Sequence, residues 1–136
     1  MSKREILFRG KRVDNGEWVF GYLSKSRLIG YKENTLQLCI DQEENGVMLS
    51  SVVTPATVGQ FTGLTDKNGK KIFEGDILNC GDRIVYVRWH DYCGTWDSQF
   101  IRYTNEQLCS NGIMPTEWKY RANIIGNIYD KESEDI

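Results

Sequence analysis

Glu74 and Asp76 stand two apart, the spacing that places two side chains on one face of a β-strand. Paired carboxylates in that arrangement can move protons or hold Mg²⁺. A second cluster is His90-Asp91 followed by Cys93, which supplies a base, an orienting acid and a thiol. Neighbouring residues on a strand point to opposite faces, so His90 and Asp91 act together only if a turn bends the chain there. Cysteines lie at 39, 80, 93 and 109 with no C-x-x-C pair, and His90 is the only histidine. Structural zinc takes four Cys/His ligands in close-spaced pairs. The sequence therefore predicts free thiols, no metal and no cofactor. It carries no Gly-rich phosphate loop, no G-x-S-x-G and no H-E-x-x-H. Asp76 also sits in a turn signature, where short acids bind backbone N–H groups. The expectation is a protein that is not an enzyme.

Binding chemistry has more candidates. Aromatic rings beside Arg and Lys can stack single-stranded bases; the residues of those types are Trp18, Tyr22, Trp89, Tyr92, Trp96 and Tyr103, with Arg9, Lys11, Arg12, Arg88 and Arg102. Strand alternation turns about half of them into the core. The run Arg88-Trp89-His90 through Tyr92 to Trp96 also holds the types that capture a small nucleotide, an Arg for phosphate and a ring for the base. A sheet with open edges can instead take up a partner's strand or a second copy of itself. A homo-oligomer that also engages a protein partner is the leading expectation, with nucleic acid or a small nucleotide as alternatives.

The elements that position these groups are short strands. Ile6 and Phe8 alternate with polar residues, Asp14-Asn15-Gly16 interrupts, and Trp18, Phe20 and Tyr22 then share one face opposite Val19, Gly21 and Leu23. Leu36 to Ile40, an acidic turn over 41–46 and Val47 to Val53 read as a second hairpin. Asp66-Lys67-Asn68-Gly69 is a turn; Ile72 and Phe73 anchor it in the core, and Gly75-Asp76 opens the strand Ile77 to Cys80. Gly81-Asp82 turns the chain into Ile84 to Trp89. Strands over Phe100 to Tyr103 and Ala122 to Tyr129, with a short helical turn at Asn105 to Ser110, complete the pattern. Seven or eight strands with no long 3.6-residue stripe predict an all-β, mainly antiparallel fold, either a barrel or a compact curled sheet.

Three segments carry a resemblance: FRGKRVDNGEWVFGYL near the start, QFTGLTDKNGKKIFEGDIL followed by IVYVRWHD in the middle, and IIGNIYD near the end. Together, in this order, they resemble the YopX family of small bacteriophage and prophage proteins. The resemblance implies a mostly β fold with an SH3-type barrel element, few or no long helices, a phage or prophage origin and self-association. It brings no activity to any residue. Within it Gly63, Asp66, Asn68, Gly69, Gly75, Asp76 and Gly126 are expected to serve the fold, as turn, bend and close-approach positions.

Composition bounds the rest. With 136 residues, 40% of them hydrophobic, the chain is expected to form one domain over residues 1–130 and a frayed acidic tail over 131–136. Residues 1–32 carry net +5, the segment from Asp130 onward −3, and the whole chain −2. A protein that coats duplex DNA is usually far more basic. No apolar run approaches a membrane span and the first residues lack an apolar leader core, so the expected place is the cytoplasm of a bacterial host, with no membrane.

Overall fold

A computed structural model of the protein describes residues 5–26, 36–104 and 114–130. The helical turn expected at 105–110, the tail at 131–136 and Cys109 lie outside these. The described residues form ten strands, two short 3₁₀ turns and one four-residue helix, so the fold is all-β. The chain divides into two compact units, Met1–Gln60 and Phe61–Ile136.

In the first unit, β1 (Phe8–Lys11), β2 (Trp18–Ser26), β3 (Gln37–Glu44) and β4 (Val47–Val52) form an antiparallel ladder in that order. Gly59 and Gln60, which begin β5 (Gly59–Thr65), pair on the free side of β1. The period-two pattern directs Val19, Ile40 and Val53 to one face, where they bury against Phe8, Leu38 and Val58. The acidic segment differs from expectation. Asp41 to Glu44 belong to β3, and the turn is Asn45-Gly46 alone, with φ of 52° and 80°. Two consecutive positive φ angles make the tight hairpin turn that Asn-Gly favours. Glu43 and Glu44 stay in the strand because water reaches them there.

In the second unit, the rest of β5 pairs with β6 (Lys71–Phe73). A four-stranded antiparallel sheet runs in the order β10 (Asn123–Asn127), β7 (Asp76–Asn79), β8 (Arg83–His90), β9 (Thr95–Tyr103). Its core holds Ile72, Leu78, Cys80, Val85, Val87, Trp118 and Ala122. Trp118 opens the helix α1 (Trp118–Arg121) and is 0% exposed. β9 begins five residues before the strand expected from the sequence, and β10 carries a bulge between Ile124 and Gly126.

The barrel expected from the resemblance is not formed by the described strands. Closure requires the two outer strands to hydrogen-bond, and β9 and β10 remain at opposite edges of their sheet. The apolar face is instead covered by Trp118 and Ile72, which supply from outside the sheet the burial that closure would otherwise provide.

Candidate functional site

Arg88, Trp89, His90, Tyr92, Trp96 and Arg102 all fall on the β8–β9 hairpin. The cross-strand register divides them. Trp89 lies opposite Trp96, while Arg88 lies opposite Asp97, His90 opposite Thr95 and Ile84 opposite Arg102. Partners share a face and neighbours alternate. The two indoles are therefore on one face, and Arg88, His90 and Arg102 on the other. A guanidinium beside a ring, the pair a nucleotide clamp uses, is not assembled from Arg88 and Trp89.

Four of these side chains have local work. Trp89 and Trp96 meet edge to face with centroids 5.0 Å apart, a geometry worth roughly 0.5–1.5 kcal/mol beyond area burial. Trp96 also packs on the core of the second unit. Arg88 and Asp97 form an ion pair at 3.3 Å. Both are partly exposed, so water screening holds its contribution to about 1 kcal/mol or less. His90 Nδ1 accepts the backbone N–H of Cys93 at 3.2 Å, so the ring is tied to the turn's backbone through that nitrogen. Tyr92 projects from the turn and is 95% exposed. Among the described residues, no three His, Cys, Asp or Glu side chains gather as metal ligands would.

The turn signature lies elsewhere in the second unit. Asp66 is buried, and its Oδ1 accepts the N–H groups of Asn68 and Lys70, both at 2.9 Å. Asn68 reaches across to Asn123 Oδ1 at 2.7 Å. Asp76 is buried with Oδ2 accepting the Phe73 N–H at 2.7 Å, which folds the chain tightly around Glu74-Gly75. Gly69 closes the Asp66 turn through its own N–H, and Gly126 follows the bulge of β10. Gly63 lines an open hollow of about 340 Å³ with Leu64, Thr65, Pro115, Thr116 and Lys119.

Two features escape the sequence pattern. Arg9 and Lys11 sit over the Trp18 ring at 4.7 and 5.4 Å, a cation–π stack that occupies one of the rings considered for base stacking. Pairing of Lys11 with Trp18 and Arg9 with Phe20 places all four on one face; the alternating cations of β1 are the signal that could reveal it. Trp118 is the other, because a four-residue helix shows no periodic stripe.

The fold and the hairpin define a small all-β protein whose candidate groups are spread over sheet faces and strand edges. The chain belongs to the YopX protein family, which it matches over residues 7–133. Its fold is similar to that of protein EF1440 from Enterococcus faecalis, known from a crystal structure, with a TM-score of 0.56 at 20% identity, over 97% of this chain and 99% of that one. No curated protein matches the chain.

Proposed function

We propose that this chain is a non-catalytic binding module that associates with itself and engages a phage or host protein, as a phage- or prophage-encoded accessory factor in the bacterial cytoplasm. The observation that carries the reading is the pair of outer strands. β4 ends the first ladder with Val47, Met48 and Leu49 all exposed, at 57%, 54% and 46%. β9 ends the other sheet with Phe100 and Ile101 exposed. Outer strands of soluble proteins are commonly blunted by charge or proline; β4, VMLSSV, has neither. The acid–base candidates are held in turns: Asp76 by Phe73, and His90 by Cys93. Family membership supports the phage setting. Sedimentation velocity at micromolar concentration tests the core of the reading. A species heavier than one chain is expected, and a single monomeric boundary removes self-association.

A second reading has one observation in its favour. Phe20 and Tyr22 are exposed two residues apart on the β2 face that Lys11 shares, while Arg9 on that face is buried. Rings at that spacing beside cations suit single-stranded nucleic acid. Oligonucleotide retention at low salt that is lost at high salt would favour it; no retention at low salt removes it.

A further inference from the structure

β9 is bonded to β8 along one side, and no described strand lies along the other. Its register contains one irregularity. Arg102 faces Ile84 but Phe100 faces Val85, so Ile101 is an extra residue bulged out of the ladder. The bulge changes which side chains share a face. Asp97 and Arg102 are five apart, and in a regular strand they would point to opposite sides. Here Asp97 faces Arg88 and Arg102 faces Ile84, and those two are four apart on regular β8. Asp97 and Arg102 therefore lie on the same face. By the same register Trp96, opposite Trp89, and Tyr103, opposite Arg83, share the other face.

We propose that the outer edge of β9 pairs antiparallel with β9 of a second copy of this chain, about a two-fold axis normal to the sheet at Gln99. This rests on the self-association reading above and gives it a seam. An axis normal to the sheet preserves faces, so opposite residues must already point to the same side. With Gln99 facing its own equivalent, Ser98 meets the bulged Phe100-Ile101 of the second copy. Asp97 then meets Arg102, and Trp96 meets Tyr103. Each facing pair points to the same side, and the charge pair is made twice. Moving the centre to Ser98 or Phe100 breaks the charge match. Pairing of opposite charges and of rings directly across strands is favourable, and the seam covers Phe100 and Ile101, which are 45% and 37% exposed. Both strands carry the same bulge, so the added twist is shared across the axis.

The experiment exchanges the charges. Arg102→Asp sets two acids against each other at both ends of the seam, and Asp97→Arg sets two arginines against each other. Sedimentation velocity is expected to show half the wild-type mass for each variant alone, and the wild-type mass for their equimolar mixture, where each acid again meets an arginine. Circular dichroism checks that each variant folds. On wild-type protein, hydrogen exchange gives an arm that needs no variant: protection of the outward amides of 95–103 is expected to rise with concentration. A wild-type monomer at every concentration overturns both this seam and the self-association reading. A wild-type oligomer whose mass neither variant changes overturns the seam alone. Variants that dissociate but fail to recombine, or outward β9 amides whose exchange ignores concentration, also overturn the seam.

Discussion

The Oδ2 atom of Asp66 accepts the backbone N–H of Ile124 at 3.1 Å, across 58 positions of sequence. Its Oδ1 meanwhile holds the N–H groups of Asn68 and Lys70, and the Lys67 N–H binds the Ala122 carbonyl at 2.9 Å. One buried carboxylate thus shapes the turn after β5 and fastens that turn to the start of β10. The turn's chemistry and the sheet's edge are one unit.

Removing that carboxylate has a defined cost. Asp66→Ala leaves backbone donors at a buried site without their acceptor, a loss of about 3 kcal/mol. Asp66→Asn keeps one oxygen and can serve one side of the junction, so its loss is expected to be smaller. Urea unfolding of the three proteins checks the order. An alanine variant within about 0.5 kcal/mol of wild type would show that water replaces the acid.

Gly63 and Gly75 separate backbone strain from crowding. Both have positive φ, 86° and 91°. A Cβ at Gly63 meets open space, whereas one at Gly75 comes within 2.8 Å of Tyr129 Cε2. Gly63→Ala is expected to cost about 1–2 kcal/mol, the penalty of the left-handed conformation alone. Gly75→Ala carries the same penalty plus displacement of the Tyr129 ring and is expected to cost more. Thermal melts of both variants test the difference; equal costs would mean that the ring yields freely.

Much of this arrangement could be read from residue types. The Gly81-Asp82 turn and the first hairpin follow from turn chemistry and period-two alternation, and both occur with the expected strands around them. The acids at 41–44 obscure β3 because an exposed hairpin accepts charge without losing its ladder. Open sheets in place of the expected barrel reflect Trp118, whose covering role leaves no pattern in four helical residues. The hairpin's ring and cation residues are visible as types, and alternation alone separates Trp89 from Arg88. The bulge at Ile101 is not legible: no glycine marks it, and it exists only as a mismatch between two strands.

Trp118 carries a contrast of its own. Its ring is 0% exposed and its indole N–H has no hydrogen-bond partner among the described residues. Trp118→Ala is expected to cost about 3–5 kcal/mol through the cavity it opens. Trp118→Phe gives up no hydrogen bond and keeps an aromatic ring in place, so less than half of that loss is expected. Denaturant midpoints at unchanged slope measure both. A phenylalanine variant as unstable as the alanine one would mean that the indole's full volume sets the packing.

Burial pushes the Cys80 thiol from 9.0 up to about 11, against the smaller opposing effect of the Arg121 charge. Cys39 is also raised, first by burial and then by the charge of Asp41. Between the ordinary and the raised value, the folded chain keeps the Cys80 proton while the unfolded chain releases it. Stability from this group is therefore intact below pH 9 and declines as pH climbs toward about 11. Urea titrations across that interval, on wild type and on Cys80→Ala, isolate the effect from other groups that titrate there. The variant is expected to lose less stability over the interval, and identical slopes with pH would contradict the burial argument. Maleimide mapping gives the kinetic counterpart, since thiolate character and access together govern reaction. Among the three described cysteines, exposed Cys93 is expected to react first, with Cys39 and Cys80 following only on unfolding; early labelling of Cys80 would mean that the sheet opens far more readily than its packing implies.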